Sequence, residues 1–188
     1  MKNNAKIFLA GHNGMVGSAI LSKLKENRFT QILTKSRSEL DLKNNTQVKS
    51  FFEENRPDYV IIAAAKVGGI KANLTYPADF LFDNLVIQNN LFEYALKYKV
   101  KKVVFLGSSC IYPKECPQPM KEEYLLSGLL EPTNEGYALA KISGLKMAEY
   151  FYKQYNLKSL GLMPCNLYGP NDSFDLSNSH VLSVPKNF

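Results

Sequence analysis

Three features of the sequence point to an α/β protein with a doubly wound parallel sheet. Short, almost purely apolar runs alternate with segments whose apolar residues recur at helical spacing. The first apolar run ends in a glycine-rich turn, Gly11-His12-Asn13-Gly14-Met15-Val16-Gly17, that leads directly into a helical pattern. The chain has 188 residues, 45% of them hydrophobic, which suffices for one sizeable core but not for two domains of usual size. One domain plus a fragment is the expectation.

The elements follow in order. Ile7 to Ala10 is a strand, and Ala19, Ile20, Leu21 and Leu24 mark the helix after the turn. Ile32-Leu33 is a second strand, and Val48, Phe51 and Phe52 form one face of a helix. Tyr59 to Ala65, introduced by Pro57-Asp58, is a third strand. Phe80 to Lys97 is a long helix, Val103 to Leu106 a strand, Tyr137 to Tyr155 a helix and Ser159 to Met163 a strand. Apolar strands alternating with helices imply a parallel sheet covered on both faces. No repeat, low-complexity stretch or linker interrupts the pattern.

Composition excludes several classes. The three cysteines, Cys110, Cys116 and Cys165, form no CxxC pair, and with only His12 and His180 to join them neither a disulfide framework nor a metal site is expected. The apolar segment after the N-terminal lysines is too short for a signal peptide, and no stretch could span a membrane. A cytoplasmic protein follows. The net charge of +6 is spread out, its densest run being Lys97, Lys99, Lys101 and Lys102, so an anionic small molecule fits it better than nucleic acid.

Gly11, Gly14 and Gly17 are spaced GxxGxxG, one position from the dinucleotide fingerprint, with the same physics: a tight turn, close approach of backbone to pyrophosphate, and a helix N-terminus facing negative charge. The end of the second strand reads Thr34-Lys35-Ser36-Arg37-Ser38, with no acid between Glu26 and Glu39. A carboxylate there would bind ribose hydroxyls; Arg37 instead suits a 2′-phosphate, so NADP(H) is the expected cofactor. Tyr137 and Lys141, four residues apart, share one helix face, where a cation would lower the phenol's pKa for proton exchange with a carbonyl or alcohol oxygen. Tyr98 and Lys102 have the same spacing by chance, at a helix-to-strand junction. Ser108 and Ser109 end the preceding strand and could bond the same oxygen.

These residues resemble the extended short-chain dehydrogenase/reductases, whose members rework nucleotide sugars. The strings AGHNGMVGSAI, AAAKVGGIKAN, TYPADF, LGSSCIYPK, EPTNEGYALAK, MPCNLYGP and SNSH resemble, in order and over residues 5–181, the GDP-4-keto-6-deoxymannose epimerase-reductases of the GDP-L-fucose synthase family. The resemblance implies epimerisation at C3 and C5 beside a 4-keto group, followed by reduction at C4 with hydride from NADPH. It gives Cys110 and His180 the acid and base roles, Tyr137 and Lys141 the support of the reacting oxygen together with Ser108, and Asn166 a sugar contact. Met15, Val16, Ala64, Lys141, Pro164 and His180 join Gly11, Gly14, Gly17 and Arg37 around the cofactor. A homodimer through the two long helices is also implied.

Two departures qualify the match. Some family members have arginine where this chain has Asn13, so the phosphate preference rests on Arg37. Family members also continue well beyond the SNSH string into a mostly helical substrate domain. A Rossmann domain over 1–165 and a truncated beginning of the substrate domain over 166–188 are therefore expected, with exposed apolar surface along the later strand and the Asn166 to His180 loop. The alternatives are a reductase acting without epimerisation on a related GDP-4-keto-6-deoxy sugar or heptose, and a non-catalytic dinucleotide-binding fragment.

Overall fold

The computed structural model describes residues 2–172 of the chain. Five parallel strands, β1 (Lys6–Ala10), β2 (Gln31–Leu33), β3 (Tyr59–Ile62), β4 (Lys102–Leu106) and β5 (Ser159–Leu162), form one sheet in the order β2-β1-β3-β4-β5. The chain steps from β1 outward to β2 and then back across to β3, so the strand order reverses beside β1. Open α/β sheets bind ligands at the carboxyl ends of the strands flanking such a reversal.

The helices are α1 (Met15–Glu26), α2 (Asn45–Asn55), α3 (Ile70–Thr75), α4 (Pro77–Lys97) and α5 (Glu135–Tyr155). Local chemistry sets their ends. Asn44 caps α2 by accepting from Gln47 N, and Pro77 opens α4, where its missing N–H costs nothing. Lys23 and Lys25 lie in the last turn of α1, where cations suit the helix dipole.

One sheet face is closed. Phe8, Val60, Ile62, Val103 and Phe105 are fully buried against α2, α4 and α5, with Phe8 4.4 Å from Phe51 and Phe92 6.0 Å from Phe105 between ring centroids. The pleat sends the alternate residues to the other face. There the paired row Leu9, Ile61, Val104 and Leu160 runs from fully buried through half-buried to 44% exposed, and Leu162 is 43% exposed.

The expected cover on both faces thus holds at β1 and fails at β5 among the described residues. Right-handed crossovers explain it. The connections to β3, β4 and β5 all run in one direction and lay α2, α4 and α5 on one face, while only the connection from β1 to β2 runs the other way and lays α1 on the opposite face.

Other departures are local. The third strand ends at Ile62 rather than Ala65, because after Ala63 N donates to Ala10 O at 3.0 Å the chain leaves the sheet to pack over Gly11. The two long helices begin at Pro77 and Glu135, a few residues before their first large apolar side chains.

Candidate active site

The glycine turn is built for close approach. Gly11 has a φ of 88°, and a Cβ there would lie 2.5 Å from Ala64 N; one on Gly17 would overlap the carbonyl of Gly11. Gly14 is the N-cap of α1 with no side-chain cap, so the first N–H groups of the helix, from Met15 and Val16 onward, keep their capacity for an anion. No acidic residue occupies the first turn. His12 Nδ1 is also buried there without a partner, a polar atom the sequence did not single out. A dinucleotide pyrophosphate fits this donor set, with Ala64 as the wall opposite the turn.

Asn84, in the middle of α4, holds the loop that supplies this wall. Its Oδ1 accepts from Lys66 N at 2.8 Å, and its Nδ2 donates to Lys66 O at 3.0 Å and to Phe80 O at 2.7 Å. One turn on, Gln88 donates to Ala140 O at 2.9 Å on α5. Both amides are buried. Their only signal in the sequence is a polar residue at a core-facing position, which from the sequence looks like ordinary helix surface.

The catalytic candidates converge at the end of β4. Ser108 leaves the strand in an extended conformation, and its Oγ accepts from Cys110 N at 3.4 Å, starting the short 3-10 turn Ser109–Ile111. Gly107 N donates to Leu162 O at 2.7 Å and Ser109 N to Pro164 O at 3.2 Å, which ties this turn to the segment after β5. Lys141, buried on α5, donates from Nζ to Leu106 O at 2.7 Å and lies 5.0 Å from the Phe105 ring centroid and 5.6 Å from that of Tyr137. Phe80 meets Tyr137 edge-on at 6.4 Å.

Electrostatics assign protonation states. Burial pushes Lys141 down to about 8, so it remains a cation at neutral pH. Burial raises the Cys110 thiol, against the smaller opposing effects of the Ser108 hydroxyl and the Lys141 charge, so Cys110 is a thiol rather than a thiolate. Burial also raises Tyr137 well above the usual phenol range. The expected lowering by Lys141 is therefore absent in the free chain: burial raises the phenol, Cys110 adds to the rise, and the Lys141 ammonium donates to a strand carbonyl instead. Tyr137 is a proton donor at neutral pH.

The remaining candidates are dispersed. Arg37 is exposed in the turn after β2, Ala64 and Pro164 are half-buried beside the site, and Asn166 and Cys165 are exposed beyond β5. Cys116 is half-buried in the loop that follows the 3-10 turn. His180 lies outside the described residues. Tyr98 caps α4 and Lys102 opens β4, so that pair shares no helix face.

Comparison with known proteins bears on this geometry. The model of the NAD dependent epimerase/dehydratase family matches residues 7–184. The chain belongs to this family. It is 56% identical over 179 residues to GDP-L-fucose synthase 1 of Arabidopsis thaliana, covering 95% of this chain and 55% of that protein. It is 51% identical to the GDP-L-fucose synthase of Escherichia coli K12, covering 94% of this chain and 55% of that protein. Among solved structures, the GDP-mannoheptose C4 reductase MlghC of Campylobacter jejuni with NADP bound superposes with a TM-score of 0.92 at 41% identity, covering 97% of this chain and 54% of that one. The chain thus spans about half the length of the curated relatives it matches.

Proposed function

We propose that the chain carries the NADP(H)-binding half and the catalytic strand end of a GDP-4-keto-6-deoxy-D-mannose 3,5-epimerase-4-reductase, which forms GDP-L-fucose. The observation that carries this reading is the convergence of Ser108, Cys110, Tyr137 and Lys141 at the end of β4, two strands from the glycine turn. The identities to GDP-L-fucose synthases support the sugar.

Bound NADPH supplies the hydride to C4. The chain's own groups do the rest. Met15 and Val16 present backbone N–H groups to the pyrophosphate at the turn closed by Gly14, and Arg37 faces the 2′-phosphate. Ser108 and Tyr137 hold the C4 oxygen of the sugar, which makes the protons on C3 and C5 acidic enough to exchange. Cys110 and His180 serve as base and acid on opposite faces of the sugar, one taking the proton from the carbon beside the ketone and the other returning a proton to it. Tyr137 then protonates the C4 oxygen as hydride arrives, and Lys141 stabilises the phenolate left behind.

In this reading residues 1–165 form the dinucleotide domain, and residues 166–188, with Asn166 toward the sugar, begin the region that covers the substrate. Exposed Phe82, Leu139 and Tyr150 on α4 and α5 fit a homodimer through these helices, and the free thiols fit the cytoplasm. No helix among the described residues is long and apolar enough to cross a membrane.

The test is Tyr137→Phe. NADPH oxidation with GDP-4-keto-6-deoxymannose should fall by about 10²–10⁴-fold while NADPH binding is retained; unchanged turnover would overturn the assignment. A second reading, reduction at C4 alone, is favoured by the likeness to a heptose C4 reductase. Deuterium from solvent entering C3 and C5 of the product separates the two, since only epimerisation exchanges those protons.

A further inference from the structure

The turn after β2 contains a device that the cofactor reading does not use. Glu39 reaches back over it: one carboxylate oxygen accepts from Ser36 N at 2.8 Å and from Ser36 Oγ at 2.6 Å, and the other accepts from Lys35 Nζ at 3.3 Å. In return Ser36 O accepts from Glu39 N at 3.1 Å and from Leu40 N at 3.0 Å. The carboxylate's bond from Ser36 N is one half of the capping box found at helix starts; the other half is replaced by the serine hydroxyl donating to the same carboxylate and by a backbone bond from Glu39 N to Ser36 O, and the arrangement closes an isolated turn with no helix behind it.

Its flanks are fixed. Leu40 is buried in the core, and Leu33, paired with Phe8 in the sheet, packs against that core from the other side. The carboxylate is held at about 2, chiefly by the Ser36 hydroxyl and N–H, so it stays ionised throughout the working range of any such enzyme. Only Arg37 and Ser38 are left at the tip, both exposed, with Ser38 Oγ 3.1 Å from Ser36 Oγ. The parallel register of β1 and β2 places this tip on the same edge of the sheet as Gly11.

We propose that Glu39 is a positioning residue for cofactor specificity: by closing the Ser36–Glu39 turn it presents Arg37 and Ser38 to a 2′-phosphate. This rests on the reading of the cofactor as NADP(H) and deepens it. Arg37 owes its value to a planar fork that must meet the phosphate at a fixed angle, and an arginine on an unclosed loop would lose rotamer freedom on binding that the closed turn has already removed. A carboxylate so close to the phosphate looks unfavourable. Its charge, however, is offset by Lys35 and absorbed in the turn's own hydrogen bonds.

The experiment is to measure dissociation constants for NADPH and NADH by nicotinamide fluorescence on the full chain and its Arg37→Ala, Glu39→Ala and Glu39→Gln variants. Glu39→Ala should weaken NADPH about tenfold, leave NADH unchanged and keep the unfolding midpoint of the parent, since the residue is exposed. Glu39→Gln should restore NADPH binding, because the amide oxygen of glutamine can still accept from Ser36 N and Ser36 Oγ and keep the turn closed. NADPH affinity unaltered in Glu39→Ala, or raised in both Glu39 variants, would overturn the proposal, the latter by showing that the carboxylate merely repels the phosphate. An Arg37→Ala variant with an unchanged NADPH-to-NADH ratio would overturn it together with the cofactor reading beneath it.

Discussion

The two faces of the sheet are built from the same strands and end in different states. On the face covered by α2, α4 and α5, every strand residue from Phe8 to Phe105 is sealed in one cluster with aromatic rings from the helices. On the other, closure decays from Leu9 to Leu160 and Leu162 across four strands. The stabilising burial is therefore concentrated on one side, while the chemistry lies along the carboxyl edge shared by both. The candidates Lys141 and Tyr137 belong to α5, on the sealed side; Pro164 and Asn166 follow β5, where the sheet is open. In the proposed reaction a buried tyrosine–lysine pair would thus work with a sugar contact, Asn166, that is exposed among the described residues.

That contrast can be broken or sharpened by substitution. The largest effect is expected for Phe105→Ala, which empties the sealed face between Phe92 and Lys141 and should cost about 3–5 kcal/mol in denaturant unfolding. Gly144→Ala adds a methyl group where a Cβ would overlap the Phe105 ring and lie 2.7 Å from Gln88 Oε1. Overpacking of this kind should cost about 1–3 kcal/mol, and because Gln88 bonds Ala140 it should also shift α5 and, in the proposed reaction, lower turnover.

A pH series probes the buried cation. Lys141 has a folded pKa of about 8 against an ordinary 10.5, so between these values the unfolded chain binds the extra proton. Stability should therefore rise as pH increases from about 8 toward 10, a gain that Lys141→Met should lack in urea titrations across that window. The smallest effect belongs to the open face. Leu160→Thr should change unfolding free energy by no more than about 0.5 kcal/mol, and a loss as large as that for Phe105 would show that the face is covered after all.

Most of the architecture was legible in the sequence because parallel strands buried at their centres are written as unbroken apolar runs, as in Ile7 to Ala10 and Val103 to Leu106. The open face was legible in part: exposed apolar surface was expected along the later strand, as Leu160 and Leu162 show, although their side chains are as apolar as those of their buried neighbours and carry no sign of it themselves. The short helix α3 escaped notice because six residues beginning IKAN, after two glycines, show no full helical period. In the candidate site, Tyr137 and Lys141 were picked out by spacing, Ser108 by its place at a strand end and Cys110 by the family resemblance, and all four lie near the end of β4. The protonation of Tyr137 was misjudged, because burial depends on Phe80 and on the packing of α4 against α5, which no spacing rule contains. Asn84 and Gln88 were missed for the same reason: an amide's partners on distant segments leave no local trace.

The position of β1 has a consequence for how the molecule is made. Of the described strands, β1 leaves the ribosome first yet occupies the interior of the sheet, and both its neighbours come later: Ile7 pairs with Ile32 and with Tyr59. At typical translation speeds roughly 1–5 s separate the emergence of Ile7 from that of Ile32. For that interval an apolar segment destined for full burial lacks both of its sheet partners, with Lys2 and Lys6 beside it as charged gatekeepers against association between nascent chains.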